Sequence, residues 1–562
     1  ETGFVERFNH VCDVAYIGPW WAIINTVVVL VIAYLWAERK RTRSLVIASA
    51  WVLYSISSWQ EQGLWSVSIL EGLNGQILWF FITFAVFLAV YLYASNETYG
   101  QWAPRDGPGG AGLWWRKHST TIMVGSAFLV GLAIRIQWNV IPAMNAAGTG
   151  MWDMTGGSDP WYMKRTIDHI LAQNAHFIWD PDRSYPHGGI NPRPPLFTWS
   201  IALCGMLISA LTGLALESQA IWWALGLMPA LYGAFTVFPI YGATKTVFDR
   251  NSAVLSAWLI ALMPGHVSHS TFALADRDAF VVLFISLGIF CFLSAVKEAG
   301  SERLIKHLSW RPMDIIGAFR AVHRERPKAV LWAVLAGLSF ATTALGWKGF
   351  VYVIGILFLV YAFLTIVNHF RGIDSSALTV VMLEMQIVTA LVALPFYGHP
   401  AIPLLTDATG FLPLLFMIFF TLIVAFIAIG FRDRPWLLVV IMGGAVGTGG
   451  LVILYLLQAF NIINYWDVLF TGGGYFAKNK IFGTIAEAQA PSRGVLFGSF
   501  GPFVGIFALF GGFTAISRGF RKRQPELVVV GGYVLITLYM AWTAGRFVFN
   551  ATPAVAIVGA WS

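Results

Sequence analysis

The sequence predicts an all-α membrane protein built from many transmembrane helices. Apolar residues make up 57% of its 562 residues, and only 11% are charged. Soluble proteins usually carry about a quarter charged residues, and a helix that spans a bilayer needs roughly 20 mostly apolar residues. About fifteen such stretches follow one another along the chain. This composition excludes a soluble enzyme, a nucleic-acid-binding domain and a disordered chain, so we expect membrane lipid, and no nucleic acid, as a partner.

Each predicted span is a long apolar run. The runs cover residues 20–37, 44–60, 76–95, 119–138, 219–242, 251–265, 279–296, 329–345, 349–367, 376–394, 411–430, 436–459, 495–516, 526–545 and 548–562. One further apolar run, at 195–214, follows Pro194 and Pro195. Whether this run crosses the membrane decides on which side every later loop lies.

Basic residues indicate the path of the 195–214 run, because Lys and Arg concentrate in short cytoplasmic loops. Arg116 and Lys117 place the start of the 119–138 span in the cytoplasm. If 195–214 crossed the membrane, the basic loop 297–328 would then face outward. We therefore predict that 195–214 is a re-entrant or interfacial helix on the outer side, where other protein segments satisfy its backbone. The external loops that follow from this topology are 139–218, 266–278, 395–410 and 460–494.

We divide the chain into three parts. Residues 1–100 form an N-terminal module with three candidate transmembrane helices, 101–118 form a cytoplasmic linker, and 119–562 form the main membrane domain. The loop 297–328 alternates charged and apolar residues. It is either an amphipathic helix on the inner membrane surface or a solvated basic loop, and we favour the solvated loop.

Acidic residues in the predicted external loops are the candidates for chemistry. Asp159 follows Gly156-Gly157-Ser158 and precedes Pro160, a residue that favours the first turn of a helix. Glycine before an acid allows a tight bend that brings the carboxylate close to a ligand. A helix cap without further function explains the same pattern equally well.

Asp276 and Asp278 stand two residues apart where an external loop meets an apolar span. Two carboxylates in that arrangement can converge on one hard divalent cation such as Mg²⁺ or Mn²⁺. Helix capping is again the structural alternative, since acids are favoured at a helix N-terminus. The predicted position at the outer mouth of a membrane bundle favours a site, because acids near bilayer depth are costly.

Two further residues lie on the same predicted side. Glu487 ends the stretch Thr484-Ile485-Ala486-Glu487 in a Gly-rich external segment. Arg546 stands at the outer end of an apolar span, and its planar, permanently charged side chain suits a phosphate. Interfacial snorkelling explains Arg546 about as well.

Taken together, these motifs resemble the catalytic subunit of oligosaccharyltransferase, of the archaeal AglB type. The resemblance covers roughly residues 115–562 and is specific because the motifs occur in order, although each one is short. In chain order they are Gly156 to Asp159 with Pro160, Asn191-Pro192-Arg193-Pro194-Pro195, Asp276 with Asp278, Trp347-Lys348-Gly349, Thr484 to Glu487, and Arg546-Phe547. The resemblance implies a polytopic helical bundle of the GT-C glycosyltransferase type with long external loops.

The resemblance also implies a function. The family moves a glycan from a dolichol-linked phosphate or pyrophosphate to the side-chain amide of Asn in an Asn-x-Ser/Thr acceptor polypeptide, with inversion of the anomeric centre. This places the protein in the cell membrane, multi-pass, with its active site on the extracytoplasmic face. The implied cofactor is a divalent metal, Mn²⁺ or Mg²⁺.

The resemblance assigns roles to seven residues of this sequence. Those implied in catalysis are Asp159, Asp276 and Glu487. Those implied as metal ligands or near neighbours are Asp159, Asp276, Asp278 and Glu487. Those implied in donor binding are Arg546 and, as weaker candidates that could equally be packing residues, His187 and Trp347.

One family feature is missing from the sequence, and two other functions compete. The family's C-terminal soluble domain, which reads the Ser or Thr of the acceptor, is not found in this chain, so we expect a missing domain or an accessory subunit to supply it. A polyprenyl-phosphosugar transferase acting on a hydroxyl or lipid acceptor would not need the Thr484 to Glu487 motif. A transporter would show internal repeats and polar groups at the membrane midplane, and we see neither in the sequence.

Overall fold

The structure, a computed structural model, describes residues 111–136, 154, 157–183, 185–191, 193–301, 303–305, 311–400, 410–430, 436–460 and 489–562. The three candidate helices of residues 1–100, most of the linker and Glu487 lie outside the described residues.

Helices make up nearly all the regular structure of this described part. The first half contains α1 (Ala111–Arg135), α2 (Asp159–Gln173), the short strands β1 (Trp179–Asp180) and β2 (Gly189–Ile190), α3 (Leu196–Thr212), α4 (Ile221–Phe235), α5 (Val237–Val247), α6 (Arg250–Leu262), α7 (Pro264–Val267) and α8 (Asp278–Ala299). The second half contains α9 (Pro312–Glu325), α10 (Pro327–Gly346), α11 (Val351–Phe370), α12 (Ser376–Tyr397), α13 (Phe411–Ala425), α14 (Trp436–Ala459), α15 (Arg493–Phe500), α16 (Pro502–Lys522), α17 (Pro525–Thr543) and α18 (Arg546–Gly559).

Several of these helices have the length and apolarity of membrane spans, so the predicted all-α polytopic fold is confirmed. Within the described residues, seven helical segments are long and apolar enough to cross a membrane. They are Leu216–Val247, Asp278–Ala299, Pro327–Gly346, Lys348–Phe370, Ser376–Tyr397, Phe503–Lys522 and Pro525–Thr543. The predicted run 495–516 differs from the structure, because Gly501 adopts a positive φ of 79° and separates α15 from α16. Glycine permits that backbone conformation, and Pro502 then begins the next helix.

The helices α8, α10 and α12 form the centre of the bundle. Between α8 and α10, Gly288 lies so close to Phe340 that a β-carbon on the glycine would stand 2.6 Å from the ring. Between α10 and α12, a β-carbon on Gly337 would stand 2.7 Å from the carbonyl oxygen of Met385. Small residues allow membrane helices to approach this closely, so Gly288 and Gly337 permit tight packing among the three helices.

The helix α3 lies at the end of the bundle that carries the acidic loops. Phe197, in its first turn, packs edge-on against Phe280 at the start of α8, with ring centroids 5.9 Å apart. Farther along α3, Gly205 lies directly against Ile221, the first residue of α4. Because Gly213 then ends α3 with a left-handed conformation, the chain turns back toward α4. The non-crossing path of this helix stays a prediction.

The basic segment 297–328 contains α9, contrary to the solvated loop that we favoured. Pro312 lies in the first turn of this helix, where proline is well tolerated. Ala318 and Val322 are buried against the bundle, whereas Met313 and Ile316 are exposed. The alternation of charged and apolar residues was therefore the signature of an amphipathic helix.

Acidic and basic loops lie at opposite ends of the bundle. At one end, the amide of Phe272 donates to the carbonyl oxygen of Arg135 over 2.7 Å, which joins the acid-bearing 266–278 loop to α1. At the other end, the Lys297 ammonium donates to the carbonyl oxygen of Thr246 over 2.6 Å. Loop charges predict this separation, and the orientation of the two ends in the membrane stays a prediction.

A fully buried arginine holds the acidic end together. Arg135 has a relative exposure of 0% and bonds to neutral acceptors. Its partners are Ser270 Oγ at 2.8 Å, the carbonyl oxygens of Gly131 and Ala261 at 2.8 Å each, His266 Nδ1 at 2.7 Å and, more weakly, the Ile260 carbonyl oxygen at 3.4 Å. These contacts use the five N–H donors of the guanidinium, so the buried charge is fully hydrogen-bonded. They join the end of α1 to the end of α6 and to the loop that leads to Asp276.

We predict that two glycine-to-alanine variants will distinguish the effect of this close packing on stability from the effect of helix propensity. In Gly233→Ala the new β-carbon would stand 2.4 Å from the Ser270 β-carbon and 2.7 Å from Arg135 Nε, so we expect a loss of about 1–3 kcal/mol from overpacking. In Gly125→Ala nothing lies within 4 Å of the new atom, so helix propensity alone should change stability by about 0–1 kcal/mol in the favourable direction. Thermal unfolding of both variants in detergent measures the difference, and equal midpoints would contradict the close packing around Ser270.

Candidate active site

The first acid stands at the start of α2. Gly157 has a positive φ of 72°, and the helix begins at Asp159 with Pro160 in its first turn. The Asp159 carboxylate forms an ion pair with Arg193, whose Nη2 lies 2.7 Å from Oδ1. Asp159 is therefore bound by a side chain from the Asn191-to-Pro195 motif, and its contact goes beyond the capping role that we considered.

Arg193 is itself held by an aromatic ring, which a buried carboxylate holds in turn. Its guanidinium lies 4.4 Å from the centroid of the Tyr162 ring, which is close enough for a cation–π interaction. The Tyr162 hydroxyl donates to Asp180 Oδ2 over 3.0 Å. Arg165 donates to both oxygens of Asp180, over 2.6 and 3.1 Å. These contacts tie α2 to β1 and so fix the position of the residues that surround Asp159.

The environment of Asp180 favours its ionised form. Burial alone raises the pKa of this carboxyl, but hydrogen bonds from Arg165, the Asp182 amide and Tyr162 outweigh burial and hold the pKa below its ordinary value. Burial and the neighbouring Asp180 together raise the pKa of Tyr162 to about 12, so its hydroxyl stays a donor at neutral pH.

The second acidic loop places two carboxylates beside the first. Asp278 is the first residue of α8, and His269 Nδ1 lies 2.9 Å from its Oδ2. Asp276 accepts a hydrogen bond of 2.7 Å from the backbone amide of Arg277. Burial, the charge of Asp278 and, to a smaller extent, the charge of Asp159 raise the pKa of Asp276 to about 6. The fold therefore brings carboxylates from two loops close enough to interact electrostatically. Asp159 and Asp276 are 117 positions apart in the chain.

Arg546 begins α18, and the aromatic residues of this helix contact the acidic loop. Arg546 is exposed, and Phe549, less than one turn later, packs nearly parallel to His269 with ring centroids 4.7 Å apart. Because His269 also contacts Asp278, one short path connects α18 to the acids. Sequence reasoning missed His269, and no pattern around it would have singled it out.

The remaining donor-site candidates occupy different surroundings. Trp347 is half-buried and makes an edge contact with Tyr352 at 5.7 Å, and Tyr352 lies 5.7 Å from Phe547, the neighbour of Arg546. His187 is exposed in the turn between β1 and β2, and no described contact joins it to the acids. The structure thus brings Trp347 toward the Arg546 helix and leaves His187 apart.

Glu487 lies outside the described residues, but the chain just after it is anchored at the site. Gln489 accepts a hydrogen bond of 2.9 Å from the amide of Gly545, which immediately precedes Arg546.

The donor chemistry of this cluster fits a hard divalent cation. Carboxylate oxygens are the ligands that Mg²⁺ and Mn²⁺ prefer, and Asp159, Asp276 and Asp278 supply three carboxylates at one end of the bundle. Within the described residues, no three such side chains already converge at metal-binding positions. Asp159 is engaged with Arg193 and Asp278 with His269, so metal binding would require these contacts to adjust.

The fold defines a polytopic helical membrane protein that carries three carboxylates at one end of its bundle. Comparison with known proteins shows the family. Residues 126–560 match the family model described as "Oligosaccharyl transferase STT3, N-terminal". The chain therefore belongs to the STT3 oligosaccharyl transferase family, and the resemblance inferred from its motifs is confirmed.

Curated relatives agree with this membership. The chain is 27% identical over 295 residues to dolichyl-phosphooligosaccharide-protein glycotransferase 3 of Archaeoglobus fulgidus, covering 51% of this chain and 30% of the relative. It is 25% identical over 210 residues to dolichyl-monophosphooligosaccharide–protein glycotransferase AglB of Haloferax volcanii, covering 36% of this chain and 19% of the relative. The chain thus spans less than a third of the length of these relatives.

Solved structures share the fold. The structure of AglB from Archaeoglobus fulgidus in complex with an inhibitory peptide and a dolichol-phosphate superposes with a TM-score of 0.62 at 21% identity, covering 80% of this chain and 50% of that chain. The apo form of an oligosaccharyltransferase from the same organism gives a TM-score of 0.58 at 20% identity, covering 80% of this chain and 50% of that chain. At these identities the likeness shows the fold alone.

We predict that Asp180→Asn will loosen the contact between α2 and β1. The loss of a charged partner for Arg165, which is 40% exposed, should cost about 1–2 kcal/mol at neutral pH. Because the pKa of Asp180 is lowered in the folded protein, its contribution is present above the ordinary carboxyl pKa and disappears as the pH falls through the lowered value. The difference in the free energy of unfolding between wild type and Asp180→Asn should therefore decrease at acidic pH.

The matched control is Asp168→Asn on the same helix. Asp168 is 44% exposed and pairs with Lys164 one turn away, an arrangement worth less than about 0.5 kcal/mol. Thermal unfolding at several pH values, with hydrogen exchange of α2 amides, measures both variants. Equal behaviour of the two variants at neutral pH would contradict a structural role for Asp180.

Proposed function

We propose that this chain is the membrane portion of an oligosaccharyltransferase that moves a glycan from a dolichol-linked phosphate or pyrophosphate to the Asn side-chain amide of Asn-x-Ser/Thr sequons. The observation that carries the proposal is the placement of Asp159, Asp276 and Asp278 at one end of a bundle that belongs to the STT3 family. The Archaeoglobus fulgidus AglB structure with an inhibitory peptide and a dolichol-phosphate supports a lipid-linked donor and a peptide acceptor.

The proposed roles of the acids begin with the acceptor. An amide nitrogen is a poor nucleophile, so its orientation toward the anomeric carbon matters more than for a hydroxyl. Asp159 and Glu487 accept hydrogen bonds from the acceptor NH₂ and hold it in line with the bond to the leaving phosphate. Attack from the side opposite this phosphate inverts the anomeric centre through a transition state with oxocarbenium character.

Asp159, Asp276, Asp278 and Glu487 are the proposed ligands or near neighbours of a divalent metal, Mn²⁺ or Mg²⁺. When bound, such an ion supplies charge stabilisation for the departing phosphate and a template for the two substrates. Burial and, after it, the charge of Asp278 raise the pKa of Asp276, and a bound cation would favour the ionised form of both carboxylates. Crystals of an Archaeoglobus fulgidus oligosaccharyltransferase with Zn and sulfate agree with metal binding in that protein.

Donor binding falls to residues around α18. The exposed Arg546 is the proposed partner of the lipid-linked phosphate, since a guanidinium binds two phosphate oxygens at once. Trp347 presents an aromatic surface near this helix to the sugar or the polyprenyl chain. His187 is the weakest member of the proposed set because it stands apart on the hairpin turn.

Two further parts of the proposal concern location and acceptor recognition. Loop charges place the acidic end on the extracytoplasmic face, where dolichol-linked donors and translocated polypeptides would meet. Recognition of the sequon Ser or Thr is assigned to an additional domain or an accessory subunit. If peptides were not acceptors while a hydroxyl-bearing lipid was, the protein would instead be a polyprenyl-phosphosugar transferase of another kind.

We predict that Asp159→Ala, Asp276→Ala and Glu487→Ala each lower glycan transfer to an Asn-x-Thr peptide by about a hundredfold or more, because each removes an interaction that is strongest in the transition state. The assay uses the full-length protein in membranes that contain the dolichol-linked donor and detects glycopeptide by mass spectrometry. Asp168→Ala, an exposed acid of α2, is the matched control and should retain wild-type activity. Full activity of all three site variants at limiting Mn²⁺ would overturn the site assignment.

We also predict that chelation of divalent metal will stop transfer and that Mn²⁺ or Mg²⁺ will restore it. A bound ion should raise the midpoint of thermal unfolding. At a hundred times its Kd, it should add about 2.7 kcal/mol to the free energy of unfolding. In Asp276→Ala this stabilisation should be lost. Undiminished transfer by metal-depleted protein would disprove metal dependence and leave the transferase assignment standing.

A further inference from the structure

A narrow internal cavity lies directly behind the acid cluster. Its wall contains two arginines, the buried His176, Thr198 and the last residue of α10, Gly346. The cavity admits little more than a group the size of a water molecule or of a phosphate oxygen. Apolar neighbours, Phe197 among them, make up much of the remaining wall, so charge inside it is weakly screened.

The two arginines of this wall are Arg193 and Arg277. Arg193 uses Nη2 for its ion pair with Asp159, whereas its Nη1 is buried and has no hydrogen-bond partner among the described residues. Leaving a buried, charged N–H group unpaired is costly. Since the guanidinium is a planar fork, the contact with Asp159 fixes the direction in which Nη1 points.

Arg277 adds a second positive charge to this wall. It stands between Asp276 and Asp278, and its Nε lies 3.9 Å from Asp276 Oδ1, too far for a hydrogen bond. Two partly buried guanidiniums that line one narrow cavity form a place where an anion is stabilising.

His176 contributes rigidity to this wall and no charge. Burial lowers its pKa to about 4, so the ring is neutral under physiological conditions. Its Nε2 lies 3.0 Å from the carbonyl oxygen of Arg193 and 3.1 Å from Asn191 Nδ2. His176 therefore holds the backbone of Arg193, and the ring of Tyr162 lies against its guanidinium.

We propose that Arg193 and Arg277 form an anion subsite that binds a phosphate oxygen of the substrate beside the acid cluster. This inference rests on the proposed function and deepens it, because it adds two residues to donor recognition that are distinct from Arg546. The two arginines also balance the local charge, since three carboxylates would otherwise repel a phosphate that approaches the site. A phosphate held here lies close to the Asp159 carboxylate, through its ion pair, and to Asp276, through Arg277.

The test measures binding of inorganic pyrophosphate to the purified protein in detergent, with a chelator present so that bound metal does not contribute. Thermal unfolding is followed at increasing pyrophosphate and at matched ionic strength. Wild type should show saturable stabilisation, and Arg277→Gln should weaken binding about tenfold or more, since a charge-assisted bidentate contact is lost. Arg193→Lys keeps a cation for Asp159 but removes the fork, so it should also bind about tenfold more weakly.

Arg183→Gln is the matched control, because this arginine lies on the exposed hairpin and donates to the Ile190 carbonyl oxygen. It should bind pyrophosphate like wild type. Absence of saturable stabilisation in wild type, or wild-type affinity in both Arg277→Gln and Arg193→Lys, would overturn the subsite.

Peptide glycosylation, measured in parallel, separates this inference from the proposed function. Active wild type whose pyrophosphate affinity is unchanged in both site variants would reject the subsite and retain the transferase. Pyrophosphate binding that depends on the two arginines, in a full-length protein that transfers no glycan, would support the subsite and reject the transferase.

Discussion

The structure depends on one constraint, which is that charged groups cannot be left unpaired next to an apolar bundle. At the acidic end, nearly every charge that the fold requires is matched to a specific neighbour. Arg135 is buried among neutral acceptors, Asp180 is bound by Arg165, and Asp159 is bound by Arg193. This matching determines where the loops run, because each pair joins segments that are far apart in the chain.

The pairing also explains how carboxylates at loop ends can be held in fixed positions. Asp159 is fixed through Arg193 to Tyr162 and so to the buried Asp180. Asp278 is fixed through His269 to the ring of Phe549. Both supports lead into helices, so the carboxylates rest on rigid elements even though they stand at loop ends. A site assembled in this way can bring three like charges together because cationic and aromatic neighbours stabilise the surrounding backbone.

The sequence was a good guide wherever the local pattern carries the physical information. Apolar runs of about twenty residues predicted the helices closely, since length and hydropathy alone decide whether a segment suits a membrane. The sequence-based prediction was wrong for α9, because the alternation of charged and apolar residues allowed two interpretations. Only the packing of Ala318 and Val322 against the bundle selects the helix. The prediction also treated 495–516 as one helix, because a single glycine conformation at Gly501 is not visible in composition.

What the sequence by itself determined is the membrane class, the helical architecture and the identity of the acids, because these follow from composition, periodicity and short motifs in a fixed order. Only the tertiary structure decided which side chains support them. Arg193 lies in the Asn191-to-Pro195 motif but had no predicted role, and Arg277 lies between two predicted acids but was not predicted to act with them. No sequence pattern distinguishes His269 or Arg135. Their importance comes from contacts between residues that are distant in the chain. Arg193 and Asp159 are 34 positions apart, and Arg135 and Ser270 are 135 positions apart. Such pairings are a property of the packed fold.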